Sequence, residues 1–87
     1  MDWTETRLTD EVVRILNDEL LDVDERVEPD SNLVESGVDS LAITQLMLAL
    51  EQRTGVWVDD SLLTEESIET ARTLAALVYG EVVRAHA

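Results

Sequence analysis

Apolar residues recur at intervals of three and four in separate stretches of this chain, and that period commits it to helices rather than to a sheet. In the first stretch Leu8, Val12, Ile15, Leu16 and Leu20 form one stripe, while Asp10, Glu11, Arg14, Asp18 and Glu19 mostly take the remainder. A helix over about 4–21 follows, with Thr4 and Thr6 both suited to cap it. The second helix, about 40–54, has the clearest ends: Asp39 is a good N-cap, and Gly55 sits where a left-handed residue closes a helix. With Gly55 at C′, Val56 packs back on Leu50, the contact of a Schellman ending. A third helix over about 70–84 places Ala71, Leu74, Ala75 and Val78 on one face; Gly80 weakens its far end, where fraying is expected. A short helical turn fits within 59–67. Nothing reads as a sheet, so the expected fold is all-α: a three-to-four-helix bundle with a long first loop, one domain spanning 1–87.

The chain has 87 residues, enough for one small core and too few for a substrate pocket with its own catalytic apparatus. Three residues are aromatic and none is Phe, so Leu, Val, Ile and Ala must build that core. At roughly 0.05–0.15 kcal/mol per residue the stability expected is about 4–13 kcal/mol. A net charge of −14 pushes it toward the low end and makes the fold sensitive to salt. The same charge disfavours nucleic acid and anionic membranes and favours basic protein partners and a monomer. Cysteine is absent and His86 is the sole histidine, which excludes thiolate metal sites and Ser-His-Asp or Cys-His catalysis; no enzyme is expected. No apolar run approaches 18 residues and the N-terminus is acidic, so neither a membrane span nor a signal peptide is read, and the default compartment is cytoplasmic.

Between the first two helices, Asp22 to Val38 shows no sustained period and contains the turn formers Pro29, Asp30, Ser31, Asn32 and Gly37. A loop of this length is functional or pinned by its own apolar residues, here Val23, Val27, Leu33 and Val34. Asp22, Asp24 and Asp30 do not match EF-hand spacing, and the loop reads as solvated rather than calcium-binding. After the second helix, the alternation of Val56-Trp57-Val58 turns both valines inward. Trp57 then either covers loop packing, the favoured reading, or borders a cleft. Trp3 reads as packing on the first helix, and Met47 as core.

One segment carries chemistry. Ser40 opens a helix after a long loop, so its hydroxyl is expected at the surface, and the positive end of the helix favours a phosphate attached there. Asp39 caps that helix and offers a carboxylate to an incoming basic protein. A serine at a helix start is usually only a cap. However, Ser36-Gly37-Val38-Asp39-Ser40-Leu41 resembles the phosphopantetheine attachment motif of acyl carrier proteins. The resemblance extends through Asp30-Ser31-Asn32-Leu33, Leu46 to Glu51, Gly55 to Val58, Ile68-Glu69-Thr70 and Leu74 to Val78, in the family's order and over nearly the whole chain. It implies an acyl-carrier bundle whose Ser40 hydroxyl receives 4′-phosphopantetheine from coenzyme A through a phosphopantetheinyl transferase. The thiol of the arm would hold acyl or aminoacyl cargo as a thioester, and the protein would supply presentation rather than catalysis.

The second helix departs from the family's fatty-acid members, which resemble one another in carrying acids where this chain has Ala42, Gln45, Glu51 and Gln52; one of those four is acidic here. Arg53 adds a positive charge near the helix end. Ile43, Leu46, Met47 and Leu50 form the core stripe, whereas Leu41, Thr44 and Leu48 follow i, i+3, i+7 on another side, with Gln45 at their edge. That second face either docks partners or completes the core. The departure implies a discrete carrier of specialised metabolism, such as polyketide, nonribosomal peptide or antibiotic biosynthesis. It would meet an acyltransferase or adenylating loading enzyme, and a downstream synthase, in trans. Asp39 before Ser40 leans toward acyl cargo, with an aminoacyl or peptidyl carrier as the alternative. Outside this class, the chain fits an unmodified acidic helical interaction module.

Overall fold

The computed structural model describes residues 3–21 and 26–86, and the residues described form helices and turns without a strand. The first helix, α1, covers Glu5–Ile15 and is capped by Thr4, whose hydroxyl accepts the Arg7 N–H at 3.1 Å; Thr4 rather than Thr6 starts the helix. The winding continues through Leu20, but as a π-helical turn over Leu16–Leu20, closed by the Leu21 N–H on the Leu16 carbonyl at 2.8 Å. The expected 4–21 helix therefore exists with a widened last turn. Leu8, Val12, Ile15 and Leu16 are buried and Leu20 is half-buried.

The second helix, α2, covers Ser40–Thr54 and the third, α3, covers Ala71–Ala85. Thr70 caps α3 in a reciprocal arrangement with Thr73, and the helix runs unbroken past Gly80. A 3₁₀ turn at Asp60–Leu62 is the short helical turn expected between them. Gly55 ends α2 at φ +76°. Its N–H bonds the Glu51 carbonyl at 2.7 Å, while the Val56 N–H goes to the Thr54 hydroxyl at 3.2 Å. This is the simpler left-handed ending with one main-chain bond, not the Schellman ending expected, because Thr54 Oγ1 captures the donor a Schellman ending would use.

α1 and α3 make the principal helix pair, and α2 leans on α1 and its π-helical turn. Ile43, Leu46, Met47 and Leu50 from α2 meet Leu74, Ala75 and Val78 from α3 in one aliphatic core with the α1 stripe. The long loop is docked, not free. Val27 and Leu33 are buried, the Leu33 N–H bonds the Glu69 carbonyl at 2.9 Å, and the Arg72 N–H bonds the Pro29 carbonyl at 3.0 Å. Val38 is also buried, with its N–H on the Leu33 carbonyl at 2.9 Å. Val34, expected to pin the loop, is instead 66% exposed. It sits in the tight turn that reverses at Gly37 (φ +97°), where Leu33 and Val38 already occupy the inside. Val23, Asp22 and Asp24 lie outside the described residues. Asp30 pairs with Arg72 at 2.7 Å.

Trp3 packs on the core edge with Arg7 5.3 Å above its ring. Val58 is buried and Val56 half-buried, as the alternation requires, while Trp57 is 52% exposed and is not among the residues that line the two clefts beside Ser40. With both valines turned inward, the intervening side chain is left outside. Among the described residues no helix is long and apolar enough to cross a membrane, and no group of three or more His, Asp or Glu side chains is arranged to hold a metal.

Candidate functional site

The site is built on the first turn of α2. Asp39 stays extended (φ −102°, ψ −176°) and turns its carboxylate onto the helix, where Oδ1 accepts the Ala42 N–H at 2.8 Å. Its carbonyl accepts the Ile43 N–H at 3.0 Å, so one residue closes the turn from both its side chain and its main chain. Ser40 is thereby fixed as the first helical residue. It is exposed, and among the described residues its Oγ takes no hydrogen-bond partner. The serine is thus not the cap; Asp39 is, and the hydroxyl is left uncommitted at the positive end of a 15-residue helix.

Two clefts flank Ser40. On one side lies a space of about 450 Å³, walled by Val34, Val38, Ile43, Met47, Leu63 and Ile68, with Ser40, Asp39 and Thr44 also lining it. The Thr44 hydroxyl donates to the Ser40 carbonyl at 3.0 Å. On the other side a notch of about 210 Å³ lies between Leu20 and Leu21 of the first helical segment and Leu41, Ala42 and Gln45 of α2. Sequence reading missed the first cleft. Leu63 and Ile68 belong to no helical stripe, and apolar side chains left over in a short acidic connection are the signal that could have marked them.

The second face of α2 is resolved as surface. Leu41 is 63% and Leu48 47% exposed, and Thr44 and Gln45 are exposed beside them, so these residues do not complete the core. Arg53 is turned inward at the far end. It reaches Glu11 at 2.6 Å, Glu19 at 2.8 Å and the Ala49 carbonyl at 3.2 Å, and Arg14 also pairs with Glu11. Sequence reading also missed Asn17, whose amide holds the returning loop through Val27.

A covalently attached phosphate arm fits this geometry. It needs an exposed hydroxyl without a competing hydrogen bond, an electropositive helix end, and open space adjacent to the attachment atom, all of which Ser40 has.

Comparison with known proteins agrees. The family model for the phosphopantetheine attachment site matches residues 8–78. The acyl carrier protein MbtL of Mycolicibacterium paratuberculosis is 40% identical over 75 residues, covering 84% of this chain and 78% of its own. An acyl carrier protein of Nitratidesulfovibrio vulgaris (strain DP4) is 40% identical over 52 residues, 59% of this chain and 68% of its own. Among solved structures, a chain superposes with a TM-score of 0.65 and 28% identity over 87% of this chain and 96% of its own. It comes from the crystal structure of Bradyrhizobium japonicum glycine:[carrier protein] ligase complexed with cognate carrier protein and an analogue of glycyl adenylate. Membership implies a covalent 4′-phosphopantetheine prosthetic group. With its all-helical bundle and a family match over most of its length, this chain belongs to the phosphopantetheine-attachment-site family of acyl carrier proteins.

Proposed function

We propose that the chain works as a single carrier domain over residues 1–87 and bears its 4′-phosphopantetheine on Ser40 Oγ. The observation that carries this assignment is that Asp39 performs the capping, leaving the Ser40 hydroxyl exposed and uncommitted beside an open cleft. When bound, the arm supplies a terminal thiol that holds cargo as a thioester. The chain's own residues present it: Asp39 fixes the first turn of α2, the helix end favours the phosphate charge, and Leu41, Thr44, Gln45 and Leu48 form the surface on which partners dock. The carrier holds its cargo for enzymes that act on it and performs no catalysis of its own.

Acyl cargo is the first reading, supported by the acyl carrier relatives. A phosphopantetheinyl transferase, an acyltransferase and a downstream synthase meet the carrier in trans, in a specialised pathway of polyketide or related type. The thin acidity of α2, where Ala42, Gln45 and Gln52 replace acids, separates it from fatty-acid carriers. Aminoacyl cargo loaded by an adenylating enzyme is the second reading. It is favoured by the solved neighbour, whose structure contains a glycine:[carrier protein] ligase and a glycyl adenylate analogue.

Intact mass after incubation with coenzyme A, magnesium and a broad-specificity phosphopantetheinyl transferase tests the assignment. One phosphopantetheine on the wild type and none on Ser40→Ala is the expected result. Arm addition to Ser40→Ala would move the attachment elsewhere, and a folded wild type that stays unmodified would return the chain to the unmodified interaction module.

A further inference from the structure

Among the described residues no large apolar side chain is more exposed than Val34, at 66%, yet the turn that carries it is closely tied. The Glu35 N–H donates to Asn32 Oδ1 at 2.9 Å, the Ser36 hydroxyl to the Asn32 carbonyl at 2.7 Å, and the Gly37 N–H to the Val34 carbonyl at 3.2 Å. These bonds hold Val34 outward while it lines the cleft of about 450 Å³ that Ser40 also lines. Ile43 and Met47 of α2 wall that cleft on one side, and Leu63 and Ile68 form its far wall. Asp39 is the one ionisable residue in the lining, and its Oδ1 is committed to the Ala42 N–H. The notch on the other side of Ser40 is smaller, about 210 Å³, and more polar, with Asp39 and Gln45 in its lining. An exposed valine on a rigid turn beside the attachment atom is apolar surface that nothing in the chain covers.

Resting on the assignment of the arm to Ser40, we infer that Val34 seats the arm itself: the geminal methyl groups that follow its phosphate pack on Val34, and the cargo beyond them stays outside the cleft. The order of groups along the arm decides this. Phosphopantetheine places its geminal dimethyl carbon next to the phosphate, ahead of two amides and the thiol, so these methyls are the first apolar group met from Ser40 Oγ. Tethering at a residue that lines the cleft gives them a high local concentration there, which no free ligand or partner side chain shares. Packing them on Val34 removes apolar surface of both from water. Cargo is worse placed. Bringing it inside would draw the arm's amides among Ile43, Met47, Leu63 and Ile68, where Thr44 already donates its hydroxyl to the Ser40 carbonyl, and amides buried without partners oppose that state. Val34 is then a positioning residue: it fixes where the arm leaves the protein, so that enzymes meet the thioester in solvent.

Comparison of the apo, holo and octanoyl-loaded protein tests this, with the loaded form made by transfer from octanoyl coenzyme A. In the holo form, NMR is expected to show nuclear Overhauser contacts between the geminal methyls of the arm and the Val34 methyls, and the thermal midpoint to rise by about 3 °C over the apo form. Octanoyl loading is expected to keep those contacts and to add none from the octanoyl chain to Ile43, Leu63 or Ile68. Val34→Ser leaves the bonds of the turn in place, so its apo midpoint is expected to stay within about 1 °C of wild type, while most of the holo gain disappears. Val34→Ile keeps the apolar surface and is expected to keep the gain. Octanoyl contacts to Leu63 or Ile68 would hand the cleft to the cargo and overturn the inference. A holo form whose midpoint and Val34 methyl shifts match the apo form, or a holo gain undiminished in Val34→Ser, overturns it as well, and all three outcomes leave the carrier reading in place. A wild type that takes up no arm overturns both.

Discussion

Asn17 holds both main-chain groups of Val27: its Nδ2 donates to the Val27 carbonyl at 2.9 Å, and the Val27 N–H donates to its Oδ1 at 2.7 Å. One side chain on the π-helical turn thus stands in for a strand partner and anchors the start of the loop that leads to Ser40. The widened turn and the anchor belong together, because Asn17 is its second residue. Asn17→Ala would leave a partly buried N–H and C=O without partners, at a cost of about 2 kcal/mol. Asn17→Asp keeps the acceptor but loses the donor and is expected to fall between the two. Urea denaturation of the three proteins, with unchanged m-values, checks the order.

Two glycines predict opposite signs for the same substitution. Gly55 closes α2 in the left-handed region at φ +76°, and a Cβ there would meet nothing within 4 Å. The cost of Gly55→Ala is therefore backbone strain alone, about 1 kcal/mol. Gly80 lies inside α3, is exposed, and a Cβ there also meets open space. Gly80→Ala gains helix propensity and is expected to stabilise by about 0.5–1 kcal/mol, with less fraying of the last turns. Thermal melts and amide exchange over residues 80–85 read both effects.

The contrast between these glycines also shows which parts of the structure were legible in the sequence. Helix positions, the Asp39 cap and the buried stripe of Ile43, Leu46, Met47 and Leu50 follow from local periodicity and capping chemistry, which act within a few residues. The exposed Ser40 was legible for the same reason. Three features were not. Val34 looks like a loop pin until Leu33 and Val38 take the interior. The far wall of the cleft comes from Leu63 and Ile68, brought to α2 only by the path of the chain between α2 and α3. The π-helical turn answers to partners distant in sequence, Asn17 to Val27 and Glu19 to Arg53, and no local pattern announces it.

The loop's other anchor is electrostatic and predicts a pH dependence. Arg72 donates to both carboxylate oxygens of Asp30, at 2.7 and 3.3 Å, and these bonds hold the Asp30 carboxyl below its ordinary range. A carboxyl whose pKa is depressed by folding contributes stability above its unfolded value, near 3.9, and loses it as pH falls through the folded value. Protonation of the other carboxylates relieves self-repulsion in both wild type and variant, so the difference between them isolates this pair. Asp30→Asn is expected to melt below wild type at pH 7, and the gap is expected to close as pH drops below about 4. The gap is small, since the pair is exposed, and shrinks in high salt. A gap that widened in acid would contradict the assignment.

Three leucines of α2 divide the last prediction between stability and binding. Leu46 is fully buried against the other helices, while Leu41 and Leu48 stand outside on the same helix. Removing the Leu46 side chain leaves a cavity in an aliphatic core with few aromatics to collapse into it. Leu46→Ala is expected to cost about 2–5 kcal/mol, a large share of what an 87-residue domain has. Leu41→Ala and Leu48→Ala expose little new surface and create no cavity, so each is expected to cost less than about 0.5 kcal/mol. Chemical denaturation compares the three at pH 7 in one salt concentration. If Leu41→Ala or Leu48→Ala unfolds as readily as Leu46→Ala, these leucines hold the bundle together and the docking surface is lost from the account. If both remain as stable as wild type, their exposure is free for a partner, and a loss of transferase binding in those variants can be assigned to the contact itself.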